Sequence, residues 1–557
     1  MKLSAVGLFF GIFAMTSAKC YNCFYASGSP PCGACPKVIN GGCGGCIGGC
    51  PAAEGGTSAV QERPFSLSNP DLLHEASYVH GEWVQAASGK TFAVTDPGSG
   101  IAWATCPDNA AEDVNKAVQS SCKGFFEYRR LTARRKAQLL LEWHRLIGDA
   151  KEDLAKLLTY ETGKPLAEAR GEINYSLGFV WWFAGEAERI QGTIGASSNS
   201  ERRVLTIKQP IGVTVALVPW NFPIAMVMRK ASAAFAAGCS MIVKPSPETP
   251  LSCLALADLA TRAGFPAGTF NVLTTSLENT PGLSEALCTH PLVAKVTFTG
   301  STRVGKIVAG LCAQGLKKCT LELGGNCPVI VFDDAGIDQA IGQIMALKWR
   351  NAGQACITAN RVYIQAGIYE KFAMSFTEQT SKFKTGHGAD PVNNFGAITT
   401  RAGLQKVESQ VKNALENGAK LRTGSGKPLV LSTSEESSQF MEPVVLTGMT
   451  QDMQMAKEET FGPVCGLFKF ETEEQVVAWA NDTSLGLASY VFTKNSDRLW
   501  RLFENLEAGM IGLNTGNGSA AESPFGGIKQ SGYGKESGKD VAIAEYLVEK
   551  TGTLTVK

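Results

Sequence analysis

The chain has little net charge, few histidines and no long apolar run, and each shortage excludes a class of function. Its 52 Lys and Arg residues balance 51 Asp and Glu residues, so it has no basic excess for binding nucleic acid or anionic lipid. The five His residues show no metal-ligand spacing, which predicts that the protein has no metal centre. No apolar stretch reaches the about 20 residues that a membrane-spanning helix needs. With 44% hydrophobic residues over 557 positions, the sequence predicts instead about three domains around a large core.

The cysteines divide the chain into two unequal parts, because seven of the 17 lie within the first 50 residues. Residues 1–18 contain Lys2, an apolar run and then small residues, which is the pattern of a secretory signal peptide. The segment 19–70 is a leader rich in Cys and Gly followed by a polar linker. Its CxxC pairs leave a second hypothesis open, in which a metal-binding or redox module in this leader is the working part of the protein.

The localisation is uncertain on this reasoning. The signal-like segment predicts the secretory pathway, and a mitochondrial presequence should be rich in arginine, whereas the first arginine is Arg63. The rest of the chain has no CxxC pair, which is typical of an enzyme kept in a reduced compartment such as the mitochondrion or the cytosol.

Beyond residue 111 the hydrophobic pattern alternates between helical and extended segments, with helical spacing across 112–158. After Pro210 it predicts strands at 213–218, 241–243, 270–273 and 293–298, and helices at 224–237, 251–263 and 304–311. Strands separated by helices form right-handed crossovers, so the sequence predicts an α/β protein with a parallel sheet covered on both faces. Ligands of such sheets bind at the carboxyl ends of the strands.

Polar or small residues follow three of these strands. Asn221 lies between two prolines after the first strand, and Lys244 follows the next, where it could reach a phosphate or a ribose. Gly300 would let the backbone approach a diphosphate, and Ser301 opens a helix whose N-terminus attracts anions. Each signal is weak alone, but three in succession on one edge predict a ligand site.

Two more residues have the properties of catalytic groups. Glu322 lies in an apolar strand before a Gly-Gly pair, so burial should raise its pKa and suit it to act as a general base. Cys356 follows a glycine-containing loop, where a cysteine can be an activated nucleophile, although most cysteines are structural.

Five motifs resemble the aldehyde dehydrogenase superfamily in order and spacing: PWNFP at 219–223, FTGS at 298–301, LELGG at 321–325, GQAC at 353–356 and EETFGP at 458–463. The similarity extends from about residue 72 to about residue 556. It implies that Cys356 is the nucleophile, that Glu322 activates the deacylating water and that Asn221 donates a hydrogen bond to the oxyanion. It also implies NAD or NADP as cofactor, bound by Trp220, Lys244, Gly300, Ser301, Glu459 and Phe461.

Two arginines flank this predicted site, and a planar guanidinium matches a carboxylate. Arg229 and Arg350 coincide with the substrate-carboxylate arginines of succinate-semialdehyde dehydrogenases, and Ser519 matches a serine of the same pocket. The resemblance therefore implies oxidation of succinate semialdehyde to succinate, a step of 4-aminobutyrate degradation. Either arginine could instead be a surface charge or form an internal ion pair. A broader aliphatic specificity, or one for glutarate semialdehyde, also stays open.

Two departures from the family pattern bear on the cofactor and on redox control. Pro247 stands where NAD-preferring relatives place an acid, which removes repulsion toward a 2′-phosphate and leaves NADP open. Thr358 stands where some relatives carry a second cysteine near the nucleophile, so a disulfide of that kind cannot form.

The resemblance also implies an aldehyde dehydrogenase-like architecture that assembles as a homodimer or homotetramer. The expected parts are a parallel-sheet NAD(P)-binding domain at 71–196 and 211–322, an α/β catalytic domain at 323–538, and small β oligomerisation strands at 197–210 and 540–557.

Overall fold

The structure is a computed structural model that describes residues 63–429 and 439–556. The signal-like segment 1–18 and the cysteine-rich part of the leader lie outside the described residues. No helix of the described part is both long and apolar enough to cross a membrane.

The first half of the described chain alternates strands and helices after two short hairpins. Its elements are β1 (Ser77–Val79), β2 (Glu82–Val84), β3 (Thr91–Thr95), β4 (Ala102–Pro107), α1 (Ala111–Tyr128), α2 (Ala133–Asp149), α3 (Lys151–Thr162), α4 (Leu166–Ala187), β5 (Thr193–Ala196), β6 (Arg202–Pro210), β7 (Val213–Leu217), α5 (Pro223–Ala237), β8 (Ser240–Lys244), α6 (Leu251–Arg262), β9 (Phe270–Val272), α7 (Thr280–Thr289), β10 (Val293–Thr299), α8 (Thr302–Gln314) and β11 (Lys318–Glu322).

The second half continues the alternation. Its elements are β12 (Pro328–Val331), α9 (Ile337–Trp349), β13 (Arg361–Gln365), α10 (Tyr369–Thr380), α11 (Arg401–Glu416), β14 (Lys420–Thr423), β15 (Pro428–Leu429), β16 (Phe440–Met441), β17 (Val444–Met449), α12 (Gln454–Lys457), β18 (Val464–Phe470), α13 (Glu473–Asn481), β19 (Leu485–Gly486), β20 (Ala488–Phe492), α14 (Ser496–Asn505), β21 (Met510–Leu513), β22 (Ile528–Lys529), β23 (Gly532–Tyr533), α15 (Val541–Ala544) and β24 (Leu547–Thr555).

The first large sheet has the strand order β2-β1-β9-β8-β7-β10-β11-β23. Its strands from β9 to β11 are parallel, and antiparallel strands complete both edges. Every residue of β7 and β8 is buried, because helices cover both faces of the sheet, and most of these residues are apolar. The predicted parallel sheet is confirmed.

The helical pattern across 112–158 divides into three helices rather than one. The Thr132 side chain accepts a hydrogen bond from the Arg135 backbone N–H and so begins α2. A second break at Ala150 separates α2 from α3. Apolar periodicity alone did not show these breaks, because the buried positions keep helical spacing within each segment.

The second large sheet has the order β14-β17-β18-β13-β12-β20-β21 and is parallel except for β14. A separate three-stranded sheet pairs β24 with β6 over nine positions, from Leu547 opposite Pro210 to Thr555 opposite Arg202, and β5 with β6. The segments 197–210 and 540–557 are therefore joined as a sheet. Within the segment 323–538, β23 instead extends the first sheet, with Gly532 opposite Glu322.

Candidate active site

The carboxyl ends of neighbouring strands bring most of the predicted residues to one edge of the first sheet. Lys244 ends β8 opposite Leu217 of β7, and Glu322 ends β11 opposite Thr299 of β10. The turn after β7 contains Asn221. The three weak signals that followed separate strands in the sequence are thus neighbours along one edge.

The chain approaches Cys356 through a loop with unusual backbone geometry. Asn351 and Ala352 each have φ of +52°, and Gly353 has φ of +74°, so three successive residues are left-handed. A Cβ on Gly353 would lie 2.2 Å from the carbonyl oxygen of Gly462, so only glycine fits there. The Gln354 side chain holds the loop, donating to the Asn351 carbonyl at 3.0 Å and accepting from the Thr399 N–H at 3.0 Å.

Cys356 faces a cavity of about 610 Å³, and helices and loops that flank the two large sheets form its walls. Three other predicted residues line the same cavity, namely Arg229, Arg350 and Ser519. Most of the remaining wall is apolar or aromatic. The cavity therefore has a nucleophile and two guanidinium groups within an otherwise apolar enclosure, as small-molecule sites commonly have.

The two arginines differ in their partners. Arg229 is 1% exposed, and its Nε donates to Glu536 Oε2 at 3.1 Å. Glu536 also pairs with Lys230 and accepts from Thr297 Oγ1 at 2.8 Å. Burial alone would lower the pKa of Arg229, but the charge of Glu536 together with smaller contributions from Tyr175, Glu322 and Cys356 raises it overall. Arg229 is thus already part of an internal ion pair.

The Arg350 side chain makes no hydrogen bond or ion pair with any residue that the structure describes, although its charge opposes the rise that burial causes in the pKa of Glu168. Its guanidinium carbon lies 4.7 Å from the ring centroid of Phe222 and 5.5 Å from that of Tyr175. The aromatic faces orient the guanidinium without using its N–H donors. Those donors remain available to an anion in the cavity.

Ser519 is paired with a residue that the sequence analysis missed. Its hydroxyl forms a hydrogen bond with the Tyr175 hydroxyl, and both residues line the cavity. The Arg350 guanidinium lies over the Tyr175 ring, so Tyr175 contacts both Ser519 and Arg350.

Glu322 is 2% exposed, and neither carboxyl oxygen has a hydrogen-bond partner among the described residues. Burial raises its pKa well above the ordinary value, and the Glu536 carboxylate adds to the rise, while Arg229 and Lys230 oppose it. An unpaired buried carboxyl group of this kind is expected at a functional site rather than in a structural core.

Burial raises the pKa of the Cys356 thiol to about 12, and the Arg229 charge opposes the rise. Because Cys356 is partly exposed to the cavity, forming its thiolate costs less free energy than it would for a completely buried thiol. The Cys327 thiol donates to the Cys356 carbonyl at 3.4 Å. Thr358 donates to the carbonyls of Leu347 and Lys348.

Asn221 is buried beside the cysteine loop. Its Nδ2 donates to the Gln354 carbonyl at 3.0 Å, two residues before Cys356. An amide nitrogen has two N–H groups, so one remains for a ligand oxygen.

The predicted cofactor residues form a second region on the same sheet edge. Burial lowers the pKa of Lys244 to about 8, and its ammonium has no hydrogen-bond partner among the described residues. The rings of Trp220 and Phe461 meet edge to face at 5.6 Å. Glu459 accepts from the Gly325 N–H at 3.0 Å, and burial raises its pKa to about 6.

Other residues of this region have local partners. Ser301 caps α8 by accepting a hydrogen bond from the Val304 N–H at 3.4 Å, and the Gly300 N–H donates to the Glu322 carbonyl at 3.0 Å. The Ser246 hydroxyl donates to the Glu248 carboxylate beside Pro247. The described residues contain no group of three or more His, Cys, Asp or Glu side chains placed to hold a metal ion.

The most important residue that sequence reasoning missed is Glu536. It lies 307 positions from Arg229 in a segment with no recognised motif, so only the folded chain shows the pairing. Glu168, in the first turn of α4, and Tyr175, near the middle of α4, also line the cavity, and no pattern distinguishes them from core residues.

Comparison with known proteins gives concordant results. The model of the aldehyde dehydrogenase family matches residues 83–551. Succinate-semialdehyde dehydrogenase (NADP(+)) 1 of Schizosaccharomyces pombe is 46% identical over 493 residues, covering 88% of this chain and 97% of that protein. The 3-sulfolactaldehyde dehydrogenase of Pseudomonas putida is 46% identical over 483 residues, covering 87% and 97%. The crystal structure of succinate-semialdehyde dehydrogenase from Burkholderia pseudomallei has a TM-score of 0.85 at 43% identity, covering 88% of this chain and all of that one.

Proposed function

Because the chain belongs to the aldehyde dehydrogenase family, we propose that it oxidises succinate semialdehyde to succinate with NADP. The observation that carries this proposal is the presence of Cys356 and the unpaired Arg350 on the walls of one cavity. A nucleophile and an anion-binding guanidinium in one enclosure suit a short aldehyde that ends in an acid group.

Arg350 is the main charge that selects the acidic end of the substrate. Glu536 forms an ion pair with Arg229, whereas Arg350 stacks on Phe222 and Tyr175 and forms no ion pair in the described part of the chain, although its charge acts on the nearby Glu168 carboxylate. Ser519 and Tyr175 add hydroxyl groups that can donate to a second carboxylate oxygen. Arg229 contributes its remaining N–H groups from the wall of the cavity.

The reaction begins when the Cys356 thiolate attacks the aldehyde carbon and the carbonyl oxygen gains negative charge. The second N–H of the Asn221 amide, whose first N–H bonds the Gln354 carbonyl, would stabilise that oxygen. Loss of a hydride from the substrate carbon would convert this adduct into a thioester. Water that gives a proton to Glu322 would then hydrolyse the thioester and release the acid and the Cys356 thiolate; the Glu322 carboxyl oxygens have no partner in the described part of the chain. A protonated Glu322 cannot act in this way, so its raised pKa makes hydrolysis faster at alkaline pH.

Lys244, Ser301, Trp220, Glu459 and Phe461 would hold the dinucleotide, with Gly300 allowing close approach of the diphosphate. The buried Lys244 ammonium supports this assignment, because it has no hydrogen-bond partner in the described part of the chain and only the Glu248 charge opposes the effect of burial on its pKa, so an anionic or polar ligand would stabilise it. Bound NADP would accept the hydride from the substrate carbon. NADP rather than NAD is favoured by Pro247, which leaves no carboxylate at that position, and by the name of the S. pombe relative.

A sulfonated aldehyde is the second candidate substrate. The P. putida relative is named for 3-sulfolactaldehyde and is as similar to this chain as the S. pombe relative. An arginine pair can bind a sulfonate as well as a carboxylate.

Parallel spectrophotometric assays test these proposals. Succinate semialdehyde, glutarate semialdehyde, 3-sulfolactaldehyde and propanal should each be offered with NADP and with NAD. We expect the highest kcat/KM for succinate semialdehyde with NADP. A higher value for the sulfonate would support the second candidate, and equal values for propanal would overturn recognition of the acid group.

We also propose the domain roles that the family resemblance implies. The segments 71–196 and 211–322 bind the dinucleotide, and 323–538 carries the nucleophile. The sheet of β5, β6 and β24 would mediate a homodimer or homotetramer; Ile194 on its edge strand is 77% exposed and would be covered by a second copy. Sedimentation velocity of the full chain tests this assembly.

A further inference from the structure

A buried ion pair lies beside Asn221, outside the groups that touch substrate. Lys164 and Glu172 are 1% and 0% exposed, and the Lys164 ammonium is 2.5 Å from Glu172 Oε2. Burial lowers the pKa of Lys164, while the Glu172 charge opposes that effect. Two charges removed so completely from water are costly unless their remaining donors and acceptors are used.

Each member of the pair holds a different part of the turn that carries Asn221. The Lys164 ammonium donates to the Asn221 backbone carbonyl at 2.8 Å and lies 4.4 Å from the Phe222 ring centroid. Glu172 Oε1 accepts from the N–H groups of Ile224 and Ala225 at 3.0 and 3.2 Å.

The start of α5 depends on this distant carboxylate. Pro223 at the first position has no N–H, and Phe222 provides no side-chain cap. Glu172, from α4, satisfies two N–H groups of the first turn and places a negative charge at the positive end of the helix. The direction in which α5 leaves the turn is therefore set by Glu172.

The same Asn221 carbonyl also accepts from Asn351 Nδ2 at 2.9 Å, and Asn351 lies in the left-handed loop before Cys356. Lys164 thus holds Asn221 from one side, and the nucleophile loop holds it from the other. Together with the bond from Asn221 Nδ2 to the Gln354 carbonyl, these contacts fix which way the remaining amide N–H points.

We propose that Lys164 and Glu172 are positioning residues that hold the Asn221 amide in place for the oxyanion formed at Cys356. This inference rests on the role assigned to Asn221 in the proposed function. The ion pair should affect aldehydes with and without an acid group equally, because every aldehyde forms the same oxyanion.

The test uses the full chain with Lys164→Met and with the double variant Lys164→Met/Glu172→Gln. The single change leaves a buried carboxylate unpaired and could prevent folding, whereas the double variant removes both charges and keeps an oxygen for the N–H groups of α5. Single-turnover formation of NADPH is measured with enzyme in excess over succinate semialdehyde or propanal. Thermal unfolding is recorded for each variant.

We expect the folded double variant to form NADPH about 10- to 100-fold more slowly, the range caused by misplacing a group near the chemistry. The factor should be the same for both aldehydes. In an Asn221→Ala background the double variant should cause no further loss. A matched control, Lys295→Met/Glu545→Gln, removes an ion pair between the buried Lys295 and the partly exposed Glu545, which does not contact Asn221, and it should stay within about twofold of the wild type.

Two results would overturn the inference: a folded double variant with an unchanged rate, or a loss that adds in full to that of Asn221→Ala. If Asn221→Ala itself has no effect, the oxyanion role in the proposed function is wrong, and that failure is visible before the ion pair is tested.

Discussion

Replacing Arg350 by methionine should separate recognition of the acid group from catalysis. Methionine keeps an apolar chain against Phe222 and Tyr175 but removes the only guanidinium of the cavity that lacks a partner among the described residues. Because no internal ion pair is broken, we expect the variant to fold normally and to retain its thiol chemistry.

The expected loss follows from the contacts that Arg350 can offer. A hydrogen bond to a charged group is worth roughly 1.5–3 kcal/mol. Losing that contribution lowers kcat/KM for succinate semialdehyde by about 10- to 150-fold. For propanal, which has no acid group, kcat/KM should change by less than about threefold, a change worth under 1 kcal/mol.

The matched variant is Arg229→Met, which removes the other guanidinium but leaves Glu536 with only Lys230 and Thr297 as partners. We expect it to lower kcat for both aldehydes and to reduce the thermal unfolding temperature, because it disturbs a buried network. Steady-state kinetics with both aldehydes and a thermal scan measure all these effects. Equal losses on succinate semialdehyde and propanal in Arg350→Met would refute the assignment of Arg350.

Three further predictions follow from the geometry. The hydrolysis step should become faster as the pH rises, because the pKa of Glu322 is raised and only the ionised carboxylate accepts a proton. The Lys535 charge lowers this pKa, so Lys535→Met should shift the rising limb of a pH–kcat profile to higher pH. Gly353→Ala should destabilise the fold by at least about 1–2 kcal/mol in denaturant unfolding, since it places a Cβ at positive φ and 2.2 Å from the Gly462 carbonyl oxygen; an unchanged midpoint would contradict the loop geometry. Removing residues 1–62 should leave kcat and zinc content unchanged, because the proposed catalytic groups all lie beyond residue 160; loss of zinc together with activity would instead favour the leader as the working module.

The sequence predicted the first sheet well because its central strands are short apolar runs bounded by prolines and glycines. The same pattern placed Asn221, Lys244 and Glu322 at strand ends, where the structure has them together. Periodicity could not divide 112–158 into three helices, since caps such as Thr132 act locally and leave the apolar spacing intact.

The partners of the arginines could not be predicted at all. The resemblance assigned the same substrate-binding role to Arg229 and Arg350, yet only Arg229 is paired with Glu536. Such a pairing depends on tertiary contacts between segments about 300 residues apart. The same limit applies to Tyr175, whose hydroxyl reaches Ser519 from α4.

The position of Glu536 near the end of the chain has a consequence for how the enzyme is made. During synthesis, Arg229 and Lys230 leave the ribosome about 300 residues before the carboxylate that balances them. Until then, the first sheet also lacks its edge strand β23, and β6 lacks β24. A chain that ends before Glu536 therefore lacks both the counter-ion of Arg229 and Lys230 and the strands that complete two sheets.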